Sequence, residues 1–322
     1  MSGTFKGVMF AAVFALVSSV AQAKAKDVAC QGEILKSYPN GTWLENLAQD
    51  HGGRLYFSVM SDRRIDLYEP GRGVRTFADL PIYPMGIAIL RDRLVVAGNR
   101  RPMSDGAATL TANAIAEVSF SGRVTRLTDV KDGLMLNGVV RLARGGVLVA
   151  DSKAGVIWRY DPLTGAVSTW LKDDLLSPPP GAPPSAVGVN GLKVFGDQLL
   201  ISNTARGAIL RVGLSPKGSA VGAVSTFRTT GVVDDFDVAA DSTIFAAPYK
   251  DNIVRVGPSG MIDFALPSGA EGSTAVGLIG DRARPSAFYV LTTGNLLFGG
   301  KDPAKLLRVP VPALGACGSP SR

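Results

Sequence analysis

Short runs that alternate apolar and polar residues, or stay apolar throughout, recur along this chain: RLYFSV at 54–59, GVLVA at 146–150, QLLIS at 198–202 and TIFAA at 243–247. Runs of this length and β-branched content between turn residues predict strands. Each is followed by a turn and a second run of shared form: RIDLY at 64–68, GVIWRY at 155–160, GAILRV at 207–212, NIVRV at 252–256 and KLLRV at 305–309. Turns containing Gly or Pro, such as DPLTG at 161–165, PSG at 258–260 and FSG at 120–122, lead into third strands. The unit repeats about every 50 residues, so the chain holds about six units. Repeated antiparallel units without helices between them predict an all-β, six-bladed β-propeller, because radial stacking buries both faces of each blade. A pair of jelly-roll sandwiches is the competing architecture, and it leaves the regular spacing unexplained.

Composition narrows the class. With 38 Gly, 20 Pro and 19% charged residues in 322, the chain is neither a helical bundle nor disordered. Residues 1–23 read as a cleaved secretory signal: Lys6, an apolar stretch over 8–17 too short to span a bilayer, and the small-residue site AQA at 21–23. The mature protein is then one domain, 24–322, secreted or held in the lumen of the secretory pathway, with no membrane span. The formal charge of +7 is scattered or in pairs such as Arg63-Arg64, without the clustered cations and aromatics of a nucleic-acid surface. A small-molecule partner and a monomer are the expectation.

Cys30 and Cys317 lie near the two ends of that domain. In an oxidising compartment a disulfide between them ties the ring closed and contributes roughly 5 kcal/mol by loop entropy; two separate thiols are the alternative. Asn40-Gly41-Thr42 is an N-glycosylation sequon.

Counting back 17 or 18 residues from the second-run motif reaches Glu45, Asn137, Asn190 and Asp234 in four different units. Equivalent positions on different blades converge on the central axis, so these residues are expected to face one another at the mouth of the tunnel, with Met85 at the same place in the second unit. Two carboxylates and two amides form a hard oxygen set suited to Ca²⁺, Mg²⁺ or Mn²⁺. Taken singly, Asn-Gly and Asp-Asp are ordinary turn residues. No organic cofactor is indicated. His51 is the sole histidine and sits in a turn, which argues against a Ser-His-Asp triad, a His-based zinc site or a histidine dyad.

The same residues carry a family resemblance. Glu45 before Tyr56-Phe57, Asn137-Gly138, Asn190-Gly191 and Asp234 before IFAA at 244–247 resemble the four metal-ligand motifs of the gluconolactonase and senescence-marker-protein propellers. The resemblance implies Glu45, Asn137, Asn190 and Asp234 as ligands of a divalent cation, and Asp234 as proton acceptor in lactone hydrolysis. The stretches TWLENLA at 42–48, GVNG at 188–191 and DDF at 234–236 look more like a secreted fungal branch. That branch includes hetero-Diels-Alderases of tropolone sesquiterpenoid biosynthesis, which join a quinone methide to a humulene-type alkene.

Three functions follow as alternatives. A pericyclase of secondary-metabolite biosynthesis needs an apolar pocket that aligns reactants and polarises one oxygen; its candidate contacts are Trp43, Met85, Phe236 and Tyr249, with Asp151, Asn203 and Asp235 as polar partners. A metal-dependent lactonase needs the cation and a base, Asp234 or Asp235. A non-catalytic ligand-binding propeller needs neither. The proline-rich stretch at 177–184 and the connection at 100–113 are candidate rims.

Overall fold

The structure is a computed structural model that describes residues 32–102, 112–249, 253–260, 262–265 and 269–311. Segment 1–23, Cys30 and Cys317 lie outside these residues. Among them 24 strands form six four-stranded antiparallel sheets, each a propeller blade. The first blade is β2 (Leu44–Gln49), β3 (Leu55–Val59), β4 (Arg64–Glu69) and β5 (Gly73–Asp79), and the second β6 (Tyr83–Ile89), β7 (Arg93–Asn99), β8 (Asn113–Ser119) and β9 (Val124–Asp129). The third is β10 (Leu136–Arg141), β11 (Val147–Asp151), β12 (Val156–Tyr160) and β13 (Val167–Lys172); the fourth is β14 (Val189–Phe195), β15 (Gln198–Asn203), β16 (Ala208–Leu214) and β17 (Ala220–Thr229). The fifth is β18 (Phe236–Val238), β19 (Ile244–Ala246), β20 (Val254–Val256) and β21 (Ile262–Ala265). The last blade takes β22 (Ser273–Ile279), β23 (Ala287–Thr292) and β24 (Lys305–Pro310) from one end of the chain and its outermost strand, β1 (Glu33–Ser37), from the other. Strand exchange between the two ends therefore closes the ring.

The period of two explains the apolar runs. In β3, Leu55, Phe57 and Val59 face the last blade while Tyr56 faces the second. In β7, Leu94 and Val96 face the first blade while Val95 and Ala97 face the third. Six apolar layers result, one between each pair of neighbouring blades. Full burial of each such side chain contributes about 1.5–3 kcal/mol.

Hydroxyl groups stitch the blades together close to the axis. Ser58 Oγ donates to Met85 O at 3.0 Å, Ser152 Oγ to Val189 O at 2.7 Å, Ser202 Oγ to Asp234 O at 2.7 Å and Thr274 Oγ1 to Leu44 O at 2.7 Å. Two glycines permit the approach. A Cβ on Gly138 would lie 2.2 Å from Asn190 O, and one on Gly191 would lie 2.1 Å from Asp235 Oδ1.

Candidate functional site

The innermost strands of five blades slip register near their first residues, between Leu44 and Leu47, Pro84 and Ile87, Leu136 and Val139, Val189 and Leu192, and Ser273 and Ala275. A β-bulge re-aims the side chain it carries, and these bulges carry Glu45, Met85, Asn137, Asn190 and Thr274. In the fifth blade Asp234 and Asp235 precede β18 and are held by Asp234 N donating to Ala247 O and Ala247 N donating to Asp235 O. Glu45, Asn137, Asn190 and Asp234 are 1–3% exposed. They form a buried axial layer, where the sequence placed them at an open tunnel mouth.

Within this layer Asn190 Nδ2 lies 2.5 Å from Asp234 Oδ1, 3.0 Å from Thr204 Oγ1 and 3.4 Å from the Tyr249 hydroxyl. Trp43 Nε1 donates to Glu45 Oε2. Asp234 Oδ2 is buried without a hydrogen-bond partner among the described residues. Tyr249 sits at φ 62°, a left-handed conformation that costs a non-glycine residue of order 1–3 kcal/mol, and its hydroxyl reaches the axial layer from there. Burial raises the Glu45 carboxyl from 4.5 to about 7, opposed by the Trp43 hydrogen bond and assisted by the charge of Asp235. Burial and then the charge of Glu45 push Asp234 well above the usual carboxylate range.

One residue further along, Asp235 belongs to a second level. Lys193 Nζ contacts its two oxygens at 2.7 and 2.9 Å, and Asn46 Nδ2 donates to Oδ2 at 3.1 Å, so the fourth, fifth and first blades meet here. Burial still raises the Asp235 carboxyl, with Lys193 opposing. Below this level a cavity of about 560 Å³ opens at the far ends of the innermost strands, lined by Asn46, His51, Arg141, Lys193, Asp237 and Arg282 among others.

The other flank of the axial layer is apolar. Met60, Met85 and Met135 form one cluster with Trp43, Tyr83 and Val187. Three of the seven methionines thus gather at one spot from three separate segments of sequence. Thioethers fill irregular space and adapt their shape to a ligand. Val187 follows the 177–184 segment, which Lys153 fixes by donating to Pro184 O at 2.7 Å and Ala186 O at 2.5 Å.

Three expected substrate contacts are engaged elsewhere. Phe236 is fully buried between the fourth and fifth blades with Val233, Val238 and Ile244, because its position in β18 faces the blade interior. Asp151 accepts from Leu134 N, Met135 N, Ala154 N and Trp158 Nε1, which caps the turn after β11 and leaves neither oxygen available. Asn203 donates to the carbonyls of Leu175, Leu176 and Ser177 and accepts from Arg206 N, tying down the connection into the fourth blade. Trp43, Met85 and Tyr249 stand at the axial layer. Asn40 is exposed in the turn before β2, and the described part of the 100–113 connection excludes 103–111. The sequence reading missed Asn46, Lys193, Met60, Met135 and Thr274; their one signal was position, since each adjoins a bulge or the strand end beside it.

Fold and site together define a six-bladed propeller with a buried, acidic, axially convergent polar layer. Known proteins agree on the fold. The chain resembles regucalcin, a calcium-binding protein from Agrobacterium tumefaciens, with a TM-score of 0.63 and 15% identity over 86% of this chain and 92% of that one. It resembles a gluconolactonase from Xanthomonas campestris with a TM-score of 0.61 and 16% identity over 85% and 88%, and virginiamycin B lyase from Staphylococcus aureus with 0.53 and 14% over 82% and 80%. A curated protein of a Phoma species named "Putative hetero-Diels-Alderase" is 26% identical over 310 residues, 82% of this chain and 86% of its own length. No family profile matches the chain. No helix among the described residues is long and apolar enough to cross a membrane.

Proposed function

We propose that the axial layer is the active site of a hetero-Diels-Alderase-type cyclase acting on an apolar substrate of secondary metabolism. The observation that carries this reading is the pairing of a methionine and aromatic wall with buried carboxyls raised toward their neutral form. The Phoma relative, similar over most of both chains, supports the same reaction class.

In such a reaction the exocyclic carbon of a quinone methide bonds to one alkene carbon and its carbonyl oxygen to the other, with no net gain or loss of protons or electrons. The protein has to align the two π systems, exclude water and stabilise charge growing on the oxygen. Met60, Met85, Met135 and Trp43 supply the apolar surface. Neutral Asp234, with Tyr249 and Asn190 beside it, supplies hydrogen-bond donors at a buried site, as a protonated carboxylic acid does when an apolar environment keeps it neutral.

A second reading, a metal-dependent lactonase, draws on a different observation. Glu45, Asp234 and Asp235 are three buried carboxylates; Lys193 pairs with Asp235, and Asp234 Oδ2 has no partner among the described residues. The set fits a hard divalent cation held by Glu45, Asn137, Asn190 and Asp234. A bound cation would polarise an ester carbonyl and offset the burial that otherwise keeps these carboxyls neutral; the chain's own contribution would be to supply the four oxygen ligands and orient the ester.

Met85 tests the apolar wall. Met85→Asn places an amide where the apolar wall meets the polar layer, and a fall of about tenfold in kcat/KM for cyclisation is expected, the order of one lost apolar contact. The assay uses an ortho-quinone methide generated in situ with an alkene partner. An unchanged kcat/KM would remove the apolar wall from the mechanism.

A further inference from the structure

The face opposite the axial layer carries a groove of about 850 Å³ between the second and third blades, and arginines dominate it. Arg91 comes from the turn between β6 and β7 and Arg93 from the start of β7, Arg141 and Arg144 from the end of β10 and the turn after it, and Arg159 from β12. The lining carboxylates are Asp92 and Asp161, and both are engaged. Asp92 pairs with Arg93 at 2.7 Å, while Asp161 caps its own turn by accepting from Leu163 N at 2.9 Å and Thr164 Oγ1 at 3.0 Å. Arg93 also pairs with the buried Glu117 at 2.6 Å. Arg91, Arg141, Arg144 and Arg159 therefore face one groove with no ion pair or side-chain hydrogen bond among the described residues.

Five arginines against the two lining carboxylates leave the groove with a net positive charge, which attracts an anion. One of these cations packs against the backbone of the groove. Gly146, at φ 83°, leaves room for the Arg159 guanidinium against the turn after β10: a Cβ there would sit 3.2 Å from Nε. Planar guanidinium forks match phosphate oxygens two at a time, and the volume is that of a small-molecule site.

We infer that this groove binds a phosphate-bearing ligand carrying two or more negative charges, at a site separate from the axial layer. The same chemistry is presented by a soluble phosphate ester and by an anionic lipid headgroup, and Leu163, 87% exposed at the lip, offers an apolar contact for either.

Isothermal titration of the full chain with inorganic tripolyphosphate at low salt tests the inference, alongside cosedimentation with phosphatidic acid and with phosphatidylcholine vesicles. Saturable 1:1 binding of tripolyphosphate is expected, weakened at least tenfold by Arg141→Ala with Arg159→Ala and unaffected by Glu45→Gln. If that double variant melts lower than wild type, Arg91→Ala with Arg144→Ala, both exposed positions, is the replacement pair and carries the same expectation. Binding of free tripolyphosphate alone assigns the site to a soluble ester. Binding to phosphatidic acid vesicles that tripolyphosphate displaces assigns it to a headgroup. Absence of binding to both probes, or binding that neither double variant weakens, overturns the inference.

Discussion

Asp234→Ala is expected to lower kcat/KM for cyclisation by about 100-fold, whereas Asp234→Asn should stay within a few-fold of wild type. The difference follows from what each side chain presents. Under the cyclase reading Asp234 acts as a neutral donor toward the substrate oxygen, and removing one preorganised donor from a dry site costs on the order of 10²–10³ in rate. Asparagine keeps an N–H donor and nearly the same shape, and Asn190 Nδ2 can still lie beside its carbonyl oxygen as it now lies beside Asp234 Oδ1. A lactonase gives another pattern, because there Asp234 is a ligand and base that must be ionised, so Asn and Ala should be equally damaging. Steady-state kinetics of the two variants on both substrate classes read the outcome directly. Equal loss in Ala and Asn would turn the assignment toward hydrolysis.

The second large effect is on stability against pH. Glu45 titrates at about 7 in the folded protein and at its ordinary 4.5 when unfolded. Between those values the folded state holds the proton that the unfolded state has lost, so stability falls as pH rises through the window. Below pH 4.5 both states are protonated and the penalty vanishes; above pH 7 it is complete. At 1.36 kcal/mol per unit it reaches roughly 3 kcal/mol, and the raised Asp234 extends the decline upward. Glu45→Gln removes the Glu45 share, so the variant should melt roughly 5 °C above wild type at pH 8 and match it near pH 4.5. Thermal unfolding across pH 4.5–8 checks this, and a wild-type melting point that climbs over that range would contradict the buried acid. Repeating the series with calcium also tests the second reading. An ion that holds Glu45 and Asp234 ionised should raise the wild-type melting point at pH 8 and leave it unchanged at pH 4.5.

The propeller was legible because each blade must bury both faces, which writes itself as apolar runs such as GVLVA at 146–150 with turns at even spacing. The axial register was legible for a related reason. The bulge recurs at one place in each unit, so a count from the second-run motif lands on Glu45, Asn137 and Asn190, and on Asp234 in the fifth blade. What a side chain does at such a place was less legible. Asp151 and Asn203 sit at equivalent strand ends and look free in sequence, yet nearby backbone N–H and C=O groups, with the Trp158 indole at Asp151, occupy them. Phe236 follows Asp234 and Asp235, and the alternation of the strand turns it into the blade interior. Lys193 and Asn46 were invisible because their partner Asp235 belongs to another blade, 42 and 189 residues away. The methionine cluster and the arginine groove were hidden for the same reason, since each is assembled from segments of different blades that only the packing of successive blades brings together. The ring itself closes by β1 joining β22, β23 and β24, a pairing that no local pattern in residues 33–37 announces.

Under the proposed reading, the apolar wall and neutral carboxyls of the axial site accelerate a cyclisation without a metal ion. The most direct test is the rate at which wild-type protein, in excess EDTA near pH 6, converts a quinone methide and its alkene partner relative to the uncatalysed background. An acceleration of at least about 100-fold, giving one stereoisomer, is predicted. A rate equal to background, or one that exceeds it only when a divalent cation is restored, would contradict the account.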